Sequence, residues 1–228
     1  MANLVIGIEG LVGTGKTSIC RELLNMIPNS IILHAGNIYR AITYRIMTSN
    51  VSLSELKDID LQDLFKRFEI EIKIENKETV VYSMGHKIDE QLLQSAENSV
   101  AVSKISGMAN NKNAYKLVKQ YIDSYKENYN VIFSGRDTKR IYPELDYHLM
   151  LTADIDKRVE WKAYQYPNIS KDELKEQIEL RDELQRKSGY YDTYDDTITI
   201  DLSEYNTIEE KTKVVYDKIF KSGDKKNV

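Results

Sequence analysis

The stretch Ile6-Gly-Ile-Glu-Gly10-Leu-Val-Gly-Thr-Gly15-Lys16-Thr17-Ser18 has the composition and spacing of a phosphate-binding P-loop. An apolar run precedes this stretch, and a segment with helical periodicity follows it as far as Pro28. The pattern predicts a strand, a tight turn and a helix in that order, which is the context that the motif requires. A glycine-rich turn that binds nothing is the alternative, and it is disfavoured because spacing, the Lys-Thr pair and flanking elements all agree.

The residue types in this loop each have a chemical reason to be there. Glycines allow backbone dihedrals that are closed to other residues, so that successive N–H groups can approach a phosphate. We expect Lys16 to bridge the β- and γ-phosphates and the Thr17 hydroxyl to bind Mg²⁺. The predicted nucleotide-binding residues are Gly10, Gly13, Thr14, Gly15, Lys16, Thr17 and Ser18. The loop therefore indicates phosphoryl transfer.

Length and composition narrow the class of protein further. The 228 residues can bury one sizeable core, and a net charge of −4 without a basic block argues against a nucleic-acid partner. The first strand begins close to Met1, and no apolar run approaches the roughly 20 residues of a membrane span, so we expect a cytoplasmic protein without a membrane partner. One cysteine, Cys20, cannot form an internal disulfide, and the scattered histidines argue against zinc.

Short apolar runs separated by helical patterns predict a doubly wound, mainly parallel α/β sheet. The predicted strands are Leu4–Ile8, Ser30–Leu33, Val131–Phe133, Tyr147–Leu151 and Thr197–Ile200. Ligands of such sheets lie beyond the carboxyl ends of the strands. We therefore expect the P-loop, residues 34–40, residues 134–137 and the turn after Ile200 to share one cleft.

Two segments depart from this alternation. Residues 68–88 alternate with period two around a polar turn, which predicts an inserted antiparallel hairpin. Residues 156–166 and 170–188 predict two helices joined by a bend at Pro167, the second opened by a capping box at Ser170. Two such helices beside a P-loop cleft suggest a mobile lid.

Taken together, these features resemble the bacterial cytidylate kinases over nearly the whole chain. The matching elements are the P-loop, Ala35-Gly-Asn-Ile-Tyr-Arg40-Ala, the hairpin, Ser103, Ser134-Gly-Arg136-Asp137, the lid with Arg158, the pair Arg181-Asp182, and Ile200-Asp-Leu-Ser. The resemblance implies a five-stranded parallel P-loop kinase core with a hairpin subdomain and a helical lid. It implies transfer of the γ-phosphoryl group of ATP, with Mg²⁺, to CMP or dCMP.

The same resemblance divides the chain into parts. The core would comprise residues 1–45, 111–155 and 190–228, a nucleoside-monophosphate-binding insert would span residues 46–110, and the lid would span residues 156–189. We expect a monomer.

Residue roles follow from the resemblance position by position. It implies that Arg40 and Arg136 clamp the acceptor phosphate, for which guanidinium groups suit because they bind paired phosphate oxygens. Arg158, with Lys162 one turn on, resembles the lid cations that close over ATP. The implied catalytic residues are Lys16, Arg40, Arg136 and Arg158.

The base and sugar of the acceptor have their own implied contacts. Ser103 and Asp137 resemble the residues that read the cytosine edge, and Arg181 resembles a ribose or phosphate contact. Lys112 lies near the position of a base-reading arginine in the family, although the segment after it is three residues longer here.

The chain also departs from the family at the acceptor side. His34 and Ala35 replace an acidic residue and a Ser or Thr, Ser134 replaces an acidic residue, and Gln185 and Ser188 replace an Asp and an Arg. Lost hydrogen-bond partners of this kind can change the preferred substrate.

Arg186 could take over the missing guanidinium only under one condition. It lies five residues after Arg181, roughly 140° around the helix, so the helix would have to unwind before Gly189. Two alternatives therefore stay open: a kinase of the same architecture with another small acceptor, such as a different nucleotide, a sugar or an antibiotic hydroxyl, and a nucleotide-binding regulator without turnover.

Overall fold

The computed structural model of the chain describes residues 2–49, 61–95, 98, 101–102 and 111–221. Its strands are β1 (Val5–Gly10), β2 (Ser30–His34), β3 (Ile70–Glu75), β4 (Glu78–Ser83), β5 (His86–Lys87), β6 (Asn130–Ser134), β7 (Tyr147–Thr152) and β8 (Thr197–Asp201). Its helices are α1 (Lys16–Met26), α2 (Ala35–Met47), α3 (Leu61–Arg67), α4 (Glu90–Gln94), α5 (Asn111–Lys126), α6 (Thr138–Ile141), α7 (Ile155–Ala163), α8 (Lys171–Lys187) and α9 (Ile208–Phe220).

The central sheet has the order β3-β4-β2-β6-β1-β7-β8. Its members β2, β6, β1, β7 and β8 are parallel, which confirms the predicted five-stranded core. Ile8 pairs with Ser134 and Gly10 pairs with Leu151, so the carboxyl ends of β1, β6 and β7 lie side by side. The P-loop and the Gly-Arg-Asp segment therefore leave the sheet at the same edge.

Each face of the sheet is covered by its own hydrophobic core. Ile6 and Ile8 of β1 pack on one face with residues of α1 and α9. Val5 of β1 and Phe133 of β6 pack on the other face with residues of α2 and α5. Consecutive strand residues therefore enter opposite cores, and this accounts for the nearly continuous apolar runs that the sequence shows.

The predicted hairpin is confirmed, and it joins the core sheet. Strands β3 and β4 are antiparallel, and the turn between them places Asn76 and Lys77 at φ values of 49° and 66°. Two consecutive left-handed residues are the geometry of a tight two-residue hairpin turn. The N–H of Ile32 donates to the carbonyl of Lys77 at 2.8 Å, so β4 continues the sheet beyond β2. Much of the predicted insert, including residues 51–60 and 103–110, lies outside the described residues, and its boundaries stay a prediction.

The two predicted lid helices are present as α7 and α8. They enclose a small third core, in which Val159, Leu174 and Ile178 pack against Val12 of the P-loop. The Ser170 hydroxyl accepts from the N–H of Glu173 at 3.2 Å, as its capping position predicts. The helices are therefore anchored to the nucleotide loop, and their movement as a lid stays a prediction.

The last helix, α9, begins with a complete capping box. The N–H of Glu210 donates to the Thr207 hydroxyl at 3.2 Å, and the Glu210 carboxylate accepts from the N–H of Thr207 at 3.1 Å. Over the described ranges, no helix combines the length and the apolar character needed to cross a bilayer.

The close approach of β1 to the loop before β7 predicts a large effect of Gly7→Ala on stability. A Cβ at Gly7 would lie 2.5 Å from Leu145 Cδ1 and 2.8 Å from Thr138 Oγ1. We expect the free energy of unfolding in urea to fall by about 1–3 kcal/mol because of this overpacking. Gly36→Ala is the matched control: its Cβ would meet nothing within 4 Å, so its unfolding free energy should not fall. Equal values for the two variants would contradict this packing argument.

Candidate functional site

The P-loop forms a backbone cradle that only glycine can build at two positions. Gly13 and Gly15 have φ values of 90° and 82°, in the left-handed region that other residues avoid. Thr14 is buried, and its hydroxyl donates to the Leu11 carbonyl at 3.0 Å, so its side chain supports the loop from within. Thr17 lies exposed in the first turn of α1. This cradle suits a phosphate chain, and the role of Thr17 toward Mg²⁺ stays a prediction.

Lys16 lies at the centre of a group of positive side chains. Its Nζ donates to the carbonyl of Gly135 at 2.8 Å, which ties α1 to the loop that follows β6. Burial lowers the pKa of Lys16 to about 8, and repulsion from Arg136 and Arg40 adds to this decrease. An ammonium group that is destabilised by both burial and like charges is one that an anion would stabilise.

Two further arginines share this environment. Burial lowers the pKa of Arg40 to about 10, with repulsion from Arg181 and Arg136 acting in the same direction. Burial and repulsion from Arg136 also lower the pKa of Arg181. Lys162 of α7 has its pKa lowered by burial and by Arg181, against attraction from Tyr166.

Buried polar atoms without a partner point to the same region. Among the described residues, the buried side-chain nitrogens and oxygens that lack a hydrogen-bond partner are Tyr39 Oη, Asn98 Oδ1 and Arg136 Nε. Tyr39 precedes Arg40 in the chain, and Asn98 Nδ2 donates to the Arg40 carbonyl at 3.1 Å. Buried polar groups normally have partners, so these atoms mark a surface that a polar ligand would complete.

Arg40 is held in place by the short helix α4. Its Nη1 donates to the carbonyl of Leu93 at 2.7 Å. The structure therefore brings the predicted phosphate-binding residues Lys16, Arg40, Arg136 and Arg181 into one electrostatically coupled cluster.

A buried carboxylate, which the sequence analysis did not identify, supports the Gly-Arg-Asp loop. Glu9 Oε1 accepts from Thr138 N at 2.6 Å, from Thr138 Oγ1 at 2.8 Å and from His148 Nε2 at 3.1 Å. Burial raises the pKa of Glu9, but the hydrogen bonds from His148 and Thr138 outweigh burial, so the pKa is lowered overall. Because Glu9 fixes Thr138, it also fixes the loop that carries Arg136. A carboxylate within an apolar strand, directly before the first loop glycine, is the signal that could have identified it.

Asp137 turns its carboxylate into the protein. The residue has a φ of 61°, and the side chain is 5% exposed. Its Oδ2 accepts from the hydroxyl of Tyr115 on α5, and its Oδ1 lies 3.3 Å from Arg140 Nη1. Asp137 thus has a fixed orientation beside the arginine cluster.

Arg158 occupies a position different from that of a lid cation on the cleft surface. It is 6% exposed, its Nε donates to the Ala153 carbonyl at 2.9 Å, and its Nη1 donates to the Val12 carbonyl at 2.9 Å and to Asp182. The structure therefore places Arg158 beneath the P-loop, where it supports the loop backbone. The physical reason is Asp182, whose buried carboxylate holds the guanidinium inward.

Asp182 links the P-loop to the acceptor side of the cleft. Its Oδ1 accepts from the N–H of Val12 at 2.9 Å and from the hydroxyl of Tyr191 at 3.0 Å. The Tyr191 oxygen also contacts Gln185 Oε1 and lies beside Arg136, and its single proton can be donated to only one of Asp182 and Gln185. Contacts thus run from Val12 through Asp182 and Tyr191 toward Arg136. The sequence analysis did not identify Tyr191, since it lies outside every recognised motif.

Two of the departures from the family have clear structural roles. His34 Nε2 lies 2.8 Å from Glu78 Oε2, so the side chain reaches from β2 to the hairpin strand β4. Hydrogen bonds from His34 and Arg21 lower the pKa of Glu78 to about 2 against the effect of burial. Ala35 packs against Gly135, where a Cβ would lie 3.3 Å from the Ala35 Cβ.

The remaining departures lie on β6 and at the carboxyl end of α8. Ser134 is buried and lies beside Cys20 of α1. The Ser188 hydroxyl donates to the carbonyl of Leu184 at 2.9 Å, within its own helix. Arg186 is exposed, because α8 continues through Lys187 without unwinding. The condition under which Arg186 could replace the missing guanidinium is therefore not met.

Two predicted base-contacting residues cannot be located. Ser103 lies outside the described residues, and only the backbone of Lys112, within α5, is described. In the described part of the chain, no group of three or more His, Cys, Asp and Glu side chains could hold a metal ion.

Comparison with known proteins identifies relatives over the whole chain. The sequence model of the cytidylate kinase family matches residues 6–221. A cytidylate kinase from Caldicellulosiruptor saccharolyticus is 29% identical, with 97% of each chain covered, and one from Caldanaerobacter subterraneus subsp. tengcongensis is 25% identical, covering 97% of this chain and 98% of that protein. An uncharacterized protein from Eubacterium ventriosum, known from its crystal structure, shares the fold with a TM-score of 0.50 at 12% identity, covering 95% of this chain and 98% of that one.

The buried pair between Arg158 and Asp182 predicts a strong dependence of stability on Asp182. Asp182→Ala would leave a buried guanidinium and the N–H of Val12 without their partner, so we expect the free energy of unfolding to fall by about 3–5 kcal/mol. The control is Lys175→Ala, because Lys175 Nζ and Asp156 Oδ1 join the same two helices at 2.8 Å on the surface. That exposed pair should contribute at most about 1 kcal/mol. Similar losses in urea unfolding for both variants would show that the buried pair has no special role.

Proposed function

The chain belongs to the cytidylate kinase family, and we propose that it transfers the γ-phosphoryl group of ATP to the phosphate of CMP or dCMP. Membership makes the chain an ATP-dependent phosphotransferase with a nucleoside monophosphate as acceptor. The choice between CMP and dCMP, and the role of each residue, are proposals.

The observation that carries the proposal is the cluster of half-buried positive charges beside the P-loop. Burial and repulsion from Arg136 lower the pKa of Lys16, Arg40 and Arg181, and Arg136 Nε has no partner among the described residues. Such an arrangement is unfavourable by itself and becomes favourable when anions enter. A triphosphate in the P-loop and a monophosphate at the arginines are two anions that would neutralise it.

The proposed mechanism needs positioning and charge stabilisation rather than a covalent intermediate. The P-loop N–H groups and Lys16 would hold the donor phosphates, and Arg40, Arg136 and Arg181 would hold the acceptor phosphate in line with them. Mg²⁺, bound at Thr17, would supply charge neutralisation on the donor phosphates. The fixed cations reduce the repulsion between the two phosphate groups as they approach.

Asp137 and Arg158 have different parts in this proposal. Asp137 would contact the cytosine base, and Ser103 and Lys112 remain proposed contacts of the same base. Arg158 would act indirectly, since its Nε and Nη1 donate to protein oxygens beneath the loop. We therefore propose it as a positioning residue for the P-loop.

The function is tested by an acceptor panel. Purified protein with ATP and Mg²⁺ is assayed for ADP release with CMP, dCMP, UMP, AMP, a sugar and an aminoglycoside, against an ATP-only background. We expect turnover with CMP or dCMP, and none for Lys16→Ala, whose fold is checked by circular dichroism. Turnover only with the sugar or the aminoglycoside, or tight ATP binding without any transfer, would refute the proposal and favour one of the two alternatives.

The position of Arg136 predicts that its side chain acts on the transition state. Arg136→Ala should lower kcat/KM for CMP by about 10²–10³-fold, because a preorganised charge donor is removed. Arg186→Ala is the matched control: Arg186 is an exposed arginine of α8, the helix that carries Arg181, so kcat/KM of this variant should change less than about threefold. A similar small change in both variants would mean that Arg136 does not contact the acceptor.

The lowered pKa of Lys16 predicts proton uptake when ATP binds. Near pH 8 the lysine is about half protonated in the free protein, and the added phosphates should raise its pKa, so that a fraction of a proton is taken up. Calorimetric titrations in buffers of different ionisation enthalpy measure this number. Lys211 has its pKa lowered to about 8 by burial, and it lies against Trp161. Proton uptake should persist in Lys211→Met. Loss of uptake in this variant would show that the proton binds to Lys211 and not to Lys16.

A further inference from the structure

We infer that Tyr115 sets the base preference of the acceptor site by orienting Asp137 as a hydrogen-bond acceptor for an exocyclic amino group. This inference rests on the proposed function and adds a positioning residue that lies outside the motifs recognised in the sequence. It starts from one contact: the hydroxyl of Tyr115 on α5 donates to Asp137 Oδ2. Asp137 directly follows Arg136, so the phosphate contact and the base contact would be adjacent in the chain.

A second observation supports a ligand site at this carboxylate. Tyr39 Oη is buried without a hydrogen-bond partner, and the Tyr39 hydroxyl is electrostatically coupled to Asp137 and Tyr190. Tyr115 is coupled to the same Tyr39 and Tyr190. The carboxylate is therefore surrounded by aromatic side chains with polar ends, one of which has an unused hydroxyl. Aromatic rings with polar ends are the groups that contact nucleobases by stacking and hydrogen bonding.

The hydrogen-bonding capacity of the pair decides which base edge it accepts. A phenol has a single proton, and Tyr115 uses it on Asp137, so its oxygen can only accept further bonds. Burial raises the pKa of the Asp137 carboxyl overall, with Glu9 and Asp192 adding to the rise, while the hydrogen bond from Tyr115 and the charge of Arg140 favour the ionised form. In that ionised form, which the Tyr115 hydrogen bond supports, the carboxylate is also an acceptor only. The pair therefore presents acceptors alone toward the cleft.

Cytosine and uracil differ at the group that would face these acceptors. The amino group of cytosine offers two N–H donors, whereas the corresponding carbonyl of uracil offers lone pairs. A carbonyl opposite the carboxylate would leave buried polar groups unpaired, which is how polar sites reject near-identical ligands. CMP should thus be preferred over UMP, by about 10²-fold or more.

The competing explanation is that Tyr115 only fastens α5 to the loop before α6. A purely structural hydrogen bond would affect stability and total activity, and it would affect CMP and UMP alike. A positioning role changes the ratio of the two substrates. The ratio is therefore the informative measurement.

The experiment compares kcat/KM for CMP and UMP, at saturating ATP, in wild type and three variants. Tyr115→Phe should narrow the CMP to UMP ratio by about 10-fold, mainly through a higher KM for CMP, because Asp137 loses its fixed orientation. Asp137→Asn should narrow it further, since an amide can also donate to the uracil carbonyl. Tyr125→Phe is the control: it removes a hydroxyl from the same helix, one that donates to the Ile72 carbonyl at 3.3 Å, and the ratio should not change.

The outcomes separate this inference from the proposed function. Wild type without turnover on either nucleotide refutes both. Wild type that is active, with a Tyr115→Phe ratio equal to that of Tyr125→Phe, refutes only the role of Tyr115. If Tyr115→Phe does not fold, as judged by its thermal transition, an unchanged ratio in Asp137→Asn overturns the inference instead.

Discussion

Mutual repulsion among half-buried positive side chains is the constraint on which the architecture of this protein depends. Lys16, Arg40 and Arg136 lie close enough that each of the first two has its pKa lowered by burial and by Arg136. Isolated cations in this position would turn toward water. They stay because the backbone holds them: the Lys16 ammonium contacts the Gly135 carbonyl, and the Arg40 guanidinium contacts the Leu93 carbonyl. The fold thus keeps a high-energy arrangement of charges that anionic substrates would relax.

The supports of this cluster are the buried carboxylates of Glu9 and Asp182. Glu9 holds the loop of Arg136 through Thr138, and Asp182 holds the P-loop through the backbone of Val12. The network of Asp182 and Tyr191 connects the two loops, so that the donor and acceptor sides share one frame. Phosphoryl transfer between two bound anions depends on their relative position, and a rigid common support would provide it.

The departures from the family show how one site can be rebuilt without changing its frame. His34 replaces an acidic residue, yet it pairs with Glu78, so a carboxylate is again present near the end of β2, contributed by the hairpin. Gln185 replaces an acidic residue on α8, and its side-chain oxygen contacts the hydroxyl of Tyr191. In both cases the new partner comes from an element far along the chain or from an irregular loop. The positions of motifs along the sequence do not reveal such compensating contacts.

The sequence by itself determined the P-loop, the parallel strands, the hairpin and the paired helices, because periodicity and glycine spacing are local properties. It also predicted Arg40, Arg136 and Arg181 as acceptor contacts; the fold makes these side chains electrostatic neighbours, and their contact with an acceptor stays a prediction. Only the tertiary structure decided that Arg158 supports the loop from beneath and that the hairpin extends the core sheet. Direction and burial of a side chain depend on partners distant in sequence, such as Asp182 for Arg158, 24 residues away. Local patterns carry no information about such pairs, and the fold alone selects them.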